Sequence, residues 1–127
     1  PFEVWGDGEQ IRNWTYVDDI VSGTIAAAEK IHDGTSINLG TMERIKVKDC
    51  AQQVIDTLNP GATIKLLTDK PTGPLNRVAS NELAQELLDW SPQTKFSDGL
   101  QKTIEWYIST KSTEQASSDL DRKLVGR

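Results

Sequence analysis

The sequence predicts an α/β fold built from short strands and about four helices, and three observations carry that reading. Apolar stretches of strand length alternate with longer stretches of helical periodicity. The breaks between them fall at Gly, Pro, Asn and Asp. The chain has 127 residues, the size of one ordinary domain.

The elements follow in order. Residues 2–5 (FEVW) read as a strand, broken by Gly6-Asp7-Gly8. Residues 12–16 (RNWTY) are extended, with Trp14 and Tyr16 on one face and Asn13 and Thr15 on the other. A first helix is capped by Asp18, with Asp19 in its positive first turn. It carries Ile20, Val21, Thr24, Ile25, Ala28 and Ile31 near helical spacing, and Gly34 supplies a left-handed stop. Residues 36–40 (SINLG) read as a short apolar strand. A second helix over 47–58 places Val47, Ala51, Val54, Ile55 and Leu58 on one stripe, and Asn59-Pro60-Gly61 ends it. Residues 63–67 (TIKLL) are a strand. Residues 68–76 are a loop by composition, with Pro71, Gly73 and Pro74. A third helix begins within 78–90, with Ser80 as its cap, and Pro92 closes the turn beyond it. A fourth, over 96–111, is capped by Ser97 and turns Leu100, Thr103, Ile104, Tyr107 and Ile108 inward.

Residues 1–111 therefore form one domain, and the Ser- and charge-rich residues 112–127 are expected to be a mobile polar tail. The first helix is apolar over more than half its circumference, which calls for cover on two sides. A missing domain or a second copy of the chain is expected to supply it. The chain starts at Pro1 and its single methionine is Met42, which points to a fragment or a processed chain.

Composition narrows the function. The net charge is −5 with no Lys/Arg cluster, which argues against nucleic acid as a partner. No apolar run reaches the ~18 residues of a membrane span, and no signal peptide is visible. One cysteine, Cys50, excludes an internal disulfide and points to a reducing, cytoplasmic setting. One histidine and one cysteine are too few for the usual zinc ligand sets, and no metal site is expected.

Three motifs invite a chemical reading. Gly6 and Gly8 give G-x-G, but Ile11 stands where a dinucleotide fingerprint needs its third glycine, and extended sequence follows instead of a helix. The stretch reads as a tight turn, not a cofactor loop. Tyr107 and Lys111 have Y-x-x-x-K spacing, but a lysine at the last turn of a helix simply complements the dipole. Arg12 and Arg77 each follow a turn-rich stretch, and arginine offers a planar fork matched to phosphate oxygens.

Residues 4–19, VWGDGEQIRNWTYVDD, resemble the segment that opens the substrate half of extended short-chain dehydrogenases acting on nucleotide sugars. SINLGT resembles that family's YNIG strand, and LLDWSPQTKFSDGLQKTIEWY resembles its closing segment. Together these cover about residues 2–108 in the family's order. IRNW and KTIEWY look most like dTDP-glucose 4,6-dehydratases. FEVWGDGEQ and GPLNR look at least as much like GDP-mannose 3,5-epimerases.

The resemblance implies roles for individual residues. Trp5 packs beside the nucleotide base, Gln10 and Arg12 contact the diphosphate side, Asn38 contacts the nucleotide, and Arg77 clasps the diphosphate from an opposite loop. It also implies that NAD belongs to the full-length family and not to this chain, because the family's NAD-binding Rossmann domain and Tyr/Lys catalytic pair have no counterpart here. Residue 89 is Asp where the family usually has Gly. The expected function is the nucleotide-diphosphosugar-binding portion of an NAD-dependent epimerase or dehydratase, inactive alone. The alternatives are a free-standing binding or interaction domain and a functionless remnant, either of which could dimerise through its first helix.

Overall fold

The computed structural model describes residues 1–116 and Ser118. Two small sheets and four helices make up the chain over the range of its named elements. Strand β1 (Phe2–Trp5) pairs in parallel with β4 (Ile64–Leu67), Phe2 opposite Ile64 and Trp5 opposite Leu67. Helix α2 (Val47–Leu58) packs on this pair, burying Ala51 and Ile55 near Val4. Its apolar residues recur at helical spacing, which is why a single stripe suffices.

The second sheet is three-stranded, in the order β3, β2, β5. Strand β2 (Ile11–Arg12) lies between antiparallel β3 (Ile45–Lys46) and parallel β5 (Asn76–Arg77). Neither β3 nor β5 was expected from the sequence; two-residue strands carry no periodicity, and β5 sits in a stretch that reads as loop. The extended segment expected at 12–16 forms a ladder only at its start.

Helix α1 (Val17–Lys30) lies against α3 (Glu82–Leu88). The core here is Ala84, Leu88 and Trp90, with Ala26, Ala27, Ile31, Ile37 and Leu39 packed around it. The Trp90 indole donates to Ser22 Oγ at 3.0 Å, and Lys30 Nζ donates to the Leu88 carbonyl at 2.6 Å. The strand expected at 36–40 does not form. Ile37 and Leu39 alternate as in a strand and pack on this core, but no neighbouring chain among the described residues offers that backbone a ladder.

Several caps also differ from expectation. Tyr16, not Asp18, is the N-cap of α1, and Ile31 ends it before Gly34. Asp19 does more than complement the helix dipole. It is buried, and its carboxylate accepts the backbone N–H groups of Gln93 and Thr94, each at 3.0 Å. Asn81 is the N-cap of α3, with Ser80 Oγ accepting from the Glu82 N–H at 3.3 Å. Helix α4 (Phe96–Thr110) is preceded by Lys95, and its Phe96 N–H is capped by Glu43 at 2.8 Å, not by Ser97.

Helix α4 buries Phe96, Gly99 and Ile104. Tyr107 and Ile108, expected inside, are exposed, as is Trp106. The helix packs on α2, and its buried residues all lie in the first nine positions, Phe96 to Ile104. Beyond it, residues 113–116 form a helical turn, with Ala116 N–H donating to Ser112 at 3.0 Å. The rest of the tail expected from residue 112, apart from Ser118, lies outside the described residues. No helix among the described residues is long and apolar enough to cross a membrane.

Candidate functional site

The glycine turn shapes the site. Gly6 and Gly8 both have positive φ, +79° and +72°, a region that costs other residues strain. Close packing adds a second constraint at each. A Cβ on Gly6 would lie 1.9 Å from Thr72 Cγ2, and one on Gly8 would lie 2.7 Å from Lys48 Cβ. Glu9 N–H closes the turn on Asp7 Oδ1 at 3.0 Å.

The same turn caps α2. Val47 N–H donates to the Gln10 carbonyl and Lys48 N–H to the Gly8 carbonyl, each at 3.0 Å. These amides belong to the helix N-terminus that would otherwise be free for an anion. Gly6 N–H is likewise committed to the Leu67 carbonyl at 2.8 Å. These three amides are therefore not available to a pyrophosphate. Glu9 joins the arrangement through ion pairs with Lys46, at 2.8 Å, and with Lys48. Hydrogen bonds from both lysines pull its carboxyl down to about 2.

Beside the turn lies an open groove of about 450 Å³. Trp5, Gln10 and Arg12 line it together with Trp14, Val47, Cys50, Pro71 and Thr72. Three of the residues singled out in the sequence are thus brought together on one surface. A second groove of about 390 Å³, lined by Tyr16, Phe96, Gly99 and Leu100, shares Trp14 and Cys50 with the first. Burial pushes the Cys50 thiol up, so it stays protonated at neutral pH.

Arg12 is held in place. Its Nη1 donates to the Ile11 carbonyl at 2.7 Å and to the Pro74 carbonyl at 2.9 Å. The other N–H groups of the fork have no partner among the described residues. Arg77 is not on an opposite loop, as the sequence had led us to expect. It lies on β5, directly across the parallel ladder from Arg12. Gln10 is buried, with Nε2 donating to the Trp5 carbonyl at 3.2 Å and Oε1 lacking any partner among the described residues. Asn38 stands apart; it is exposed on the ladder-free segment and does not line the groove.

Tyr107 and Lys111 share a shallow hollow at the far end of α4 with residues 112–114, away from the groove residues. Trp14, Val47, Cys50 and Thr72 were not singled out as site residues. Their convergence depends on β2, α2 and the 68–76 loop meeting in space, and only the proximity of Trp14 to the glycine turn was visible in the sequence.

The family model for GDP-mannose 4,6-dehydratase matches residues 2–103. The chain belongs to the extended short-chain dehydrogenases that epimerise and dehydrate nucleotide sugars. It is 33% identical over 104 residues to UDP-glucuronic acid decarboxylase 1 of Arabidopsis thaliana, covering 82% of this chain and 24% of that protein. It is 30% identical over 125 residues to the GDP-mannose 3,5-epimerase of the same plant, covering 98% of this chain and 32% of that protein. Among solved structures, it superposes on UDP-glucuronic acid 4-epimerase from Bacillus cereus, in complex with UDP-glucuronic acid and NAD, with a TM-score of 0.78 and 32% identity. That match covers 87% of this chain and 36% of the epimerase. The chain thus spans about a quarter to a third of the length of these curated relatives. Within the family, the Asp89 departure is accommodated: Asp89 itself adopts the left-handed conformation, φ 54° and ψ 37°, that ends α3.

Proposed function

We propose that this chain is the nucleotide-diphosphosugar-binding portion of an NAD-dependent epimerase or dehydratase, with Arg12 and Arg77 on the diphosphate and Trp5 beside the base. The observation that carries this reading is the side-by-side placement of Arg12 and Arg77 next to a groove walled by Trp5 and Trp14. Neighbouring like charges on one sheet face cost free energy unless an anion lies between them, and a diphosphate supplies that charge in a form arginine forks can grip. The aromatic wall offers a flat base a stacking surface.

NAD, in this reading, belongs to the portion of the family that the chain does not align with, and the chain turns over no substrate by itself. The setting is the cytoplasm. The test is calorimetric titration with UDP-glucuronic acid, GDP-mannose and dTDP-glucose. Binding to at least one, weakened at least tenfold in Arg12→Ala and Arg77→Ala, is the expected result. No heat with any of the three, under conditions where the chain is folded, overturns the reading.

A second observation favours association as well. Val17, Val21 and Ile25 form an exposed apolar stripe at i, i+4 and i+8 on α1, 50–59% accessible. We assign this stripe to contact with an NAD-holding unit of the family, or failing that with a second copy. Light scattering showing a monomer at all concentrations, with no binding to such a unit, would remove both.

A further inference from the structure

Gln10 combines deep burial with an incomplete hydrogen-bond set. It is 3% accessible, and its amide nitrogen donates to the Trp5 carbonyl at 3.2 Å. That contact fixes which end of the amide is which, because a carbonyl can only accept. The oxygen is then left without a donor among the described residues. A buried acceptor in that state weakens the fold, and an apolar side chain of the same length would avoid the cost.

Geometry shows what the residue does in return. Trp5 is the last residue of β1, and its carbonyl lies at the point where the strand enters the Gly6-Asp7-Gly8 turn. Trp5 is 44% accessible and lines the groove, so its own packing contacts hold it only on part of its surface. The Gln10 amide nitrogen also lies 3.1 Å from the place a Cβ on Gly6 would occupy, so it packs under the turn itself. Gln10 thus braces the backbone that carries the tryptophan, and at 3% accessible it offers the groove little of its own surface.

We propose that Gln10 is a positioning residue that sets the Trp5 indole for stacking on a nucleobase, and not a direct diphosphate contact. The inference rests on the reading of Trp5 as the base-facing residue. It separates two parts of ligand recognition: Arg12 and Arg77 take the charge, while Gln10 acts on the base alone, through Trp5.

The test uses the 127-residue chain with UDP, GDP and inorganic pyrophosphate as probes. The wild type is expected to prefer at least one nucleoside diphosphate over pyrophosphate by about tenfold, the scale of one base stacked on an aromatic ring. Gln10→Met keeps the length and removes both the amide N–H donor and the amide oxygen. It is expected to abolish that preference while leaving pyrophosphate binding unchanged, with a melting temperature equal to or above the wild type. Trp5→Ala should remove the same preference, and the double variant should lose no more than either single one. A second readout needs no ligand: of the four indole N–H resonances, the one missing in Trp5→Phe should move in Gln10→Met and the other three should stay. A Gln10→Met protein that keeps the nucleotide preference and leaves that resonance in place overturns the positioning role, while the diphosphate reading stands. A variant that loses all binding together with its melting transition shows an ordinary structural role and also overturns it. A wild type without any preference for nucleotide over pyrophosphate overturns this inference and the base-facing reading of Trp5 together.

Discussion

Arg12 and Arg77 are direct partners across the parallel β2–β5 ladder, so two guanidinium-bearing side chains leave one face of a small sheet about 4.8 Å apart at the backbone. The Arg12 guanidinium is tied down by two carbonyls, and the Arg77 side chain has no hydrogen-bond or ion-pair partner among the described residues. Nearby lysines differ, since Lys46 and Lys48 share one carboxylate partner, Glu9. The ladder therefore sets two positive charges side by side with no carboxylate paired to either among the described residues. Removing one arginine should relieve repulsion while weakening anion binding. Arg77→Gln is expected to melt no lower than the wild type and to bind a nucleotide diphosphosugar at least tenfold more weakly. Raising salt should weaken wild-type binding more than that of the variant, because the lost contact is the screened one.

The glycine turn should tolerate no side chain at Gly6. A residue there meets both the positive φ of 79° and the Thr72 methyl group. Gly6→Ala is expected to lose about 1–3 kcal/mol from backbone strain alone, with more from the clash. Urea unfolding measures it, and groove binding should fall with it because Trp5 and Gln10 flank the turn.

Asp89 offers the opposite case. It occupies a left-handed position that glycine adopts without strain, and its N–H closes the end of α3 on the Gln85 carbonyl at 3.1 Å. Asp89→Gly is expected to raise stability by about 0.5–1 kcal/mol, despite losing the exposed contact with Gln85 Nε2. Chemical denaturation checks it.

How far these features were legible beforehand varies with their physical origin. Helices α1, α2 and α4 and strands β1 and β4 announce themselves through apolar periodicity, although only α2 buries the stripe the periodicity marks, while Val21 and Ile25 of α1 and Tyr107 and Ile108 of α4 stay exposed. Strands β3 and β5 do not, because a two-residue strand is defined by partners far away in sequence, as Arg77 is by Arg12. The alternation of Ile37 and Leu39 was misleading for the converse reason: it records packing onto Trp90 and its neighbours, not a ladder. In the site, Trp5, Gln10 and Arg12 stood out because they share one short motif. Val47 and Thr72 did not, because each arrives from a different element. Nor could any pattern show that Gln10 faces Trp5 with half of its amide unpaired.

Asp19 shows the same limit within a helix that was recognised. It marks a helix start in sequence, yet its carboxylate ties α1 to the 93–94 connection through two backbone N–H groups. Asp19→Ala would leave both donors without that acceptor. The expected loss is about 2–4 kcal/mol by thermal or urea unfolding, given the usual worth of hydrogen bonds to a charged group.

Glu9 sets a pH dependence. Its carboxyl is held at about 2, below the ordinary 4.5, by the two lysines. A lowered folded-state value means the unfolded chain takes up the proton first as pH falls. The associated stability is present above about 4.5 and lost as pH drops towards about 2. Glu9→Gln should flatten the stability profile in that window and, between pH 6 and 8, lower stability by an amount that does not vary with pH. Melting temperatures across pH 2–8 for both proteins compare the two.

The most direct measurement is a ¹⁵N–¹H NMR titration of the chain with UDP-glucuronic acid, GDP-mannose and dTDP-glucose. At least one should move the backbone amides of residues 4–12 and 72–77, the Trp5 indole and the Arg12 and Arg77 side-chain resonances, with the last turns of α4 unchanged. No shifts with any of the three, or shifts confined to α1 and α4, would contradict a diphosphate site at the paired arginines.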